Sequence, residues 1–250
     1  MISVIIITKN EAHHIASCLD SVAWADEIII LDSGSIDETV TICKKYTPHV
    51  YLTDWPGFGP QKQRALEKAT GEWIFSIDAD EVVSKQLEDE IKHAVKSAEF
   101  DGYQVPRLSN FCGKTMHHSG WWPDYTVRLF RKKSGKFSLV PVHEKVHVEG
   151  VIGKLKNPLL HDTYVTLEEA ISKMNRYSTL SAKMLRDAEK KTSMGKALIR
   201  AFWTFIRTYL IKAGFLDGKY GLMLAILNAE GTFYKYAKLS ELTNTYPSKD

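Results

Sequence analysis

Through the first hundred positions, short runs of β-branched and aromatic residues alternate with stretches whose apolar side chains recur at helical spacing. Residues 4–7, 27–31, 50–52 and 73–77 read as strands, nearly continuous in apolar character and so buried on both faces. Residues 10–22, 37–46 and 60–69 carry the helical pattern, the second entered through a Ser/Asp cluster suited to capping. This alternation predicts an α/β domain with a mostly parallel, mixed sheet flanked by helices. From 102 to about 162 the pattern turns irregular and rich in aromatic and basic side chains, the composition of loops mounted on a rigid sheet. Three helical segments follow, at 167–191, 193–213 and 220–239.

The middle of these three is two-sided. On a helical wheel Lys196, Arg200 and Arg207 share one narrow sector, Leu198, Phe202, Phe205, Ile206 and Tyr209 stand opposite, and Trp203 lies near the boundary. That distribution suits a helix lying in a lipid headgroup layer, and it equally suits a helix that closes a core.

Composition adds bounds. The chain of 250 residues is 44% hydrophobic and 25% charged, enough for one substantial core and free of the biases of disordered or disulfide-scaffolded proteins. Cys18, Cys43 and Cys112 are an odd number, widely spaced and without a CxxC, which points to a reducing compartment and away from a zinc site. The opening residues read as a core strand and not as a signal peptide, and no stretch reaches the roughly 18 apolar residues of a membrane span. A cytoplasmic protein whose membrane contact is peripheral is the expectation. Charge is uneven: residues 1–100 hold 9 Lys/Arg against 17 Asp/Glu, while residues 101–250 hold 24 against 13. The second half is therefore suited to an anionic partner such as a lipid surface. Nucleic acid is the least suitable, because no RNP, KH or zinc-finger arrangement is present and the acidic half would repel a polyanion.

The chemistry lies where strands end. Thr8-Lys9-Asn10-Glu11, Asp32-Ser33-Gly34-Ser35 and Asp78-Ala79-Asp80-Glu81 each follow a strand directly. Ligands of open α/β sheets sit beyond the carboxyl ends of the strands, so the three clusters are expected on one edge. Asp78 and Asp80 offer oxygen ligands to a hard divalent cation, Mg²⁺ or Mn²⁺, which shares its shell with substrate phosphates and neutralises a departing nucleoside diphosphate. An Asp-x-Asp also occurs in ordinary turns; its place after a buried strand and before Glu81 favours the metal. Asp32 and Ser33, ahead of a helix N-terminus, suit nucleoside recognition, and Lys62 suits a diphosphate contact as a point charge.

These runs closely resemble the inverting family 2 glycosyltransferases of GT-A fold. Trp122-Pro123-Asp124, Arg128-Leu129-Phe130-Arg131, Val142-His143-Glu144, Gly214-Phe215-Leu216-Asp217-Gly218 and Lys235-Tyr236-Ala237-Lys238-Leu239 are similar to the branch that contains the lipopolysaccharide inner-core β-1,4-glucosyltransferases. The resemblance implies a nucleotide-sugar half (1–100), an acceptor half (101–162) and a helical appendage (163–250). It places Thr8, Asn10, Glu11, Asp32, Ser33, Lys62, Asp78 and Ala79 about the UDP-sugar, with Asp80 as principal metal ligand and Asp78 nearer the ribose or its waters. The run Lys62-Gln63-Arg64 departs from the Arg-Asn of many relatives.

Inversion needs a general base for the acceptor hydroxyl. Glu144 is the favoured residue and Asp124 the alternative, Asp124 being equally suited to an ion pair with Arg128; His143 joins the metal or phosphate. Trp121, Trp122, Arg128 and Arg131 are the expected acceptor contacts. The function implied is transfer of glucose from UDP-glucose to an inner-core heptose of lipopolysaccharide at the cytoplasmic membrane face. A polyprenyl phosphate, capsular glycan or peptide acceptor is the alternative, and a nucleic-acid-binding module a remote one.

Overall fold

The computed structural model describes residues 1–138 and 145–245. Ile2–Thr8 (β1) is buried along its whole length, as its unbroken apolar run requires. Side chains of a strand alternate between faces, and β1 shows it: Val4 and Ile6 pack in one core cluster with Ile15, Leu19, Leu87 and Ile91, while Ile5 and Ile7 pack in another with Ala65 and Leu66. The helices that supply these partners are Ile15–Ser21 (α1), Phe58–Lys68 (α3) and Lys85–Ser97 (α4). Between α1 and α3 lie Glu27–Asp32 (β2), the short helix Thr39–Cys43 (α2) and Val50–Leu52 (β3).

The chain divides into two compact units, Met1–Arg107 with Asp124–His161, and Leu108–Pro123 with the residues from Asp162 onward. In the first, β1 pairs in parallel with β2 on one side and with Trp73–Asp78 (β4) on the other, and β3 adds to β2. The region expected to be irregular is built of strands: Glu81–Val83 (β5) precedes α4, and Gly102–Phe111 (β6), Lys114–Thr115 (β7), Asp124–Arg131 (β8), Gly135–Phe137 (β9), Val146–Val148 (β10), Ile152–Lys154 (β11) and Leu159–Tyr164 (β12) follow it. The main path across the sheet is β3-β2-β1-β4-β8-β6-β12-β5, with β8 antiparallel to both neighbours.

The helix expected from residue 10 begins at Ile15. Asn10 has φ 56°, the left-handed region. The amides of Asn10, Glu11 and Ala12 donate across to Ser35 Oγ (2.8 Å), Thr39 Oγ1 (2.8 Å) and Asp37 Oδ2 (3.2 Å). Asn10 Oδ1 accepts from the Ile36 amide at 2.9 Å. These bonds replace a first helical turn with a brace between the loops after β1 and β2.

The second unit is helical: Leu167–Asp187 (α5), Met194–Ile206 (α6), a π-helical turn Arg207–Ile211, a 3₁₀ turn Gly214–Asp217 and Gly218–Thr245 (α7). Its core joins Phe111 and Met116 to Ala170, Leu224 and Leu227. Buried Asp217 ties the 117–119 segment down, accepting from the amides of His117 (3.2 Å) and His118 (3.0 Å) and from Ser119 Oγ (3.3 Å). Among the described residues no helix is long and apolar enough to cross a membrane.

Candidate active site

Parallel pairing sets Thr8 opposite Asp32 and Ile7 opposite Asp78, so the three polar clusters emerge side by side at the carboxyl edge of β1, β2 and β4. Neighbouring strands lie about 4.8 Å apart, which places the clusters within one ligand's reach.

Asp32 is wholly buried, and its carboxylate is taken up by its own turn: Oδ1 accepts from the amides of Gly34 (3.0 Å) and Ser35 (2.9 Å), and Oδ2 from Ser35 Oγ. Gly34, at φ 83°, supplies the left-handed step that lets the loop fold back. Ser33 donates its amide to the Thr8 carbonyl (3.0 Å) and accepts at Oγ from Gln61 Nε2 (2.9 Å). Glu11 is bonded to His14 Nδ1 at 3.1 Å.

The centre is a row of alternating charges. Lys62 Nζ stands 2.8 Å from Asp78 Oδ1; Arg128 reaches Asp78 Oδ2 at 2.7 Å and Glu81 Oε1 at 2.5 Å; Arg107 is 3.8 Å from Glu81 and 2.6 Å from Asp124. Arg128 and Lys62 are buried, and Glu81 has no exposed surface. The second oxygen of Glu81 accepts from the Asp78 amide at 2.9 Å, closing the turn between β4 and β5. Burial pushes the Asp78 carboxyl up, but the charges of Arg128 and Lys62 overcome it and hold the group well below the usual carboxylate range. For Glu81 burial prevails, aided by the negative charge of Asp78, and its carboxyl is raised despite Arg128.

Asp78 and Asp80 thus stand in different surroundings. Asp78 belongs to the cation cluster, whereas Asp80 Oδ2 lies 3.3 Å from His161 Nε2, which β12 sets opposite Glu81. Ala79 between them is buried in the core and offers a ligand its backbone alone. Among the described residues no group of three or more His, Cys, Asp or Glu side chains is arranged to hold a metal ion. Asp80 is the oxygen donor that Mg²⁺ or Mn²⁺ prefers, and the His161 imidazole is a nitrogen donor that suits Mn²⁺ better than Mg²⁺, with substrate phosphates and water to complete the shell.

Beside the cluster opens a cavity of about 670 Å³, lined among others by Lys62, Asp78, Arg107, Asp124, Arg128 and Lys145. Its size is within the range of small-molecule sites. Buried polar atoms without a hydrogen-bond partner among the described residues include Arg128 Nε and Thr126 Oγ1, both from residues that line it, and Thr8 Oγ1 and Gln61 Oε1. Such atoms cost free energy unless a ligand or water meets them.

Several expectations change. Asp124 is held by Arg107, through Nε (3.1 Å) and Nη2 (2.6 Å), and not by Arg128. Arg128 lies inside the charge row and also lines the cavity. Arg131 is outside the site altogether: it pairs with Trp73 at the start of β4, five residues or about 16 Å from Asp78. There it stacks over the Trp73 ring at 4.6 Å and bonds Glu72. Trp121 and Trp122 belong to the second unit, Trp121 packed edge-on to Phe111 at 5.9 Å and Trp122 6.5 Å from the His117 ring. His143 and Glu144 lie outside the described residues. His161, Gln61 and Arg107 were missed. The one signal for His161 was a histidine set among the apolar positions of its strand.

Comparison with known proteins bears on this geometry. The family model described as glycosyl transferase family 2 matches residues 3–146. An uncharacterized glycosyltransferase of Rickettsia felis is 32% identical over 256 residues, covering 96% of this chain and 89% of the relative. The lipopolysaccharide core biosynthesis glycosyltransferase LpsC of Rhizobium meliloti is 30% identical, covering 94% and 93%. The crystal structure of S. aureus TarS 1-349 in complex with UDP superposes with a TM-score of 0.50 at 16% identity, over 98% of this chain and 91% of that one, a likeness of fold.

Proposed function

The chain belongs to glycosyl transferase family 2 and has the GT-A fold, and from that premise we propose that it transfers glucose from UDP-glucose to an inner-core heptose of lipopolysaccharide, with inversion, at the inner face of the cytoplasmic membrane. The observation that carries the reading is the separation of Asp78 from Asp80, one inside a cation cluster and one beside His161. The likeness to LpsC over nearly the whole chain supports the class of acceptor.

In this account the braced loops after β1 and β2 hold the nucleoside through Thr8, Asn10, Glu11, Asp32 and Ser33, with Asp32 shaping the loop from within. Lys62 and Arg128 bring positive charge to the diphosphate side of the cavity, and Asp78 keeps both fixed before the donor arrives. Asp80 and His161 would hold a divalent cation, whose chemistry when bound is to offset the charge of the departing UDP. Glu144 removes the proton from the acceptor hydroxyl as that oxygen attacks the anomeric carbon and the bond to UDP breaks. Asp124 is the second choice, since Oδ2 is already committed to the Arg107 fork.

The test is transfer across a panel of nucleotide sugars, paired with mass spectrometry of lipopolysaccharide from a strain lacking the gene. Turnover of UDP-glucose, a core one hexose short, and a Glu144→Gln variant that binds donor without transferring it are the expected results. An unchanged core rules out this acceptor.

A further inference from the structure

Exposed apolar side chains of the second unit gather along α6, and not in the way a core-packing helix would place them. Small residues make the packed side: Ala197 and Thr208 are buried, and Thr204 Oγ1 meets Thr232 Oγ1 of α7 at 3.2 Å. The large residues stay outside, Leu198 at 59% exposure, Ile199 at 71%, Phe202 at 69% and Trp203 at 56%. On a wheel of about 100° per residue these four form one continuous face, and Lys196, Arg200 and Arg207 form the strip along its edge. The π-helical turn continues with exposed Leu210 and Ile211, and α7 exposes Leu222 and Ile226.

Charge identifies the occupant. Residues 190–216 contain six Lys/Arg and no Asp or Glu. The first carboxylate afterwards, Asp217, is buried and engaged by the 117–119 segment. A second copy of the chain docked by twofold symmetry would set this cationic strip against itself. An apolar ladder edged by cations, with a tryptophan at the boundary, instead matches a leaflet whose surface is anionic and whose interior is hydrocarbon.

We propose that α6 and the turn after it lie in the plane of an anionic phospholipid leaflet, with Leu198, Ile199, Phe202 and Trp203 sunk about 5–10 Å to the acyl boundary and Lys196, Arg200 and Arg207 at the phosphates. This deepens the membrane location in the function above and rests on it for its biological setting, while its physical test does not use the donor site.

The test is flotation of the full chain with vesicles of phosphatidylcholine alone and of phosphatidylcholine mixed with phosphatidylglycerol, alongside calorimetry of UDP-glucose binding on the same samples. The chain floats with the mixed vesicles and far less with the neutral ones. Phe202→Ser with Trp203→Ser lowers partitioning at least tenfold. Lys196→Gln with Arg207→Gln lowers it about fivefold per cation removed, on anionic vesicles only. These positions are on the surface, so thermal unfolding and donor binding stay as in the parent chain. The proposal falls if the parent chain does not float with anionic vesicles, if the paired Ser variant floats undiminished, or if sedimentation reveals a dimer that this variant dissolves. Donor binding without flotation overturns this proposal alone; flotation without donor binding overturns the function alone.

Discussion

Replacing Arg128 with methionine keeps most of the side chain's bulk and removes the charge that Asp78 and Glu81 share. Asp78 retains Lys62 at 2.8 Å, so the loss falls on Glu81, which is fully buried and left with the Asp78 amide and Arg107 at 3.8 Å. A carboxylate isolated in this way takes up a proton. Forcing a group of ordinary value 4.5 to be protonated at pH 7 costs about 1.36 kcal/mol for each of 2.5 pH units, or roughly 3.4 kcal/mol, comparable with the 3–5 kcal/mol typical of a broken buried pair. The sign follows from linkage. Glu81 in the variant has a folded value raised above its unfolded one, so its contribution is fully favourable below pH 4.5 and is lost as pH rises through the folded value. Because burial already raises Glu81 in the parent chain, that figure is the ceiling on the difference: urea unfolding should show a deficit of up to about 3 kcal/mol at pH 7 that shrinks to under about 1 kcal/mol at pH 5. Adding Glu81→Gln to Arg128→Met should restore much of it. A deficit that does not change with pH, or a double variant as unstable as the single one, refutes the reasoning.

Three further outcomes can be checked. Lys62→Met should raise KM for the sugar nucleotide by about tenfold or more, the size of one hydrogen bond to a charged group, as read from initial rates. Burial raises the Cys18 thiol well above its ordinary value and the Cys43 thiol to about 11, so neither should react with a disulfide reagent at pH 8 until the protein is unfolded; stability should decline as pH climbs from about 9 through 11, where unfolded thiols ionise first. A Cβ at Gly71 would stand 2.5 Å from Ser3 Oγ and 2.9 Å from the Ser3 amide, so Gly71→Ala should destabilise by about 1–3 kcal/mol, visible as a lower Tm.

The site's edge was legible because β1, β2 and β4 are apolar runs that stop at polar clusters, a pattern that survives in one dimension. The start of α1 was not, since residues 10–14 look helical by period while the amides of Asn10, Glu11 and Ala12 bond to the neighbouring loop. The 102–162 region hid its strands because β6 and β8 carry Arg107, Asp124 and Arg128 at positions that apolar alternation would reserve for the core. His161 lies 81 residues from Asp80, and only the pairing of β12 with β5 brings it there. For α6 the wheel sorted apolar from basic sectors correctly but could not tell that the small residues, and not Phe202, face α7. Phe205 and Tyr209, assigned to the same apolar side, are half-buried and stacked on each other at 5.5 Å.

Calorimetric titration of UDP into the protein with and without Mn²⁺, repeated with Asp80→Asn and with His161→Ala, tests the central claim most directly. Binding should strengthen with the metal in the parent chain and lose that dependence in both variants, while Asp78, Lys62 and Arg128 keep the fold intact. Metal-dependent binding undiminished in Asp80→Asn, or no binding of UDP by the parent chain with the metal present, contradicts it.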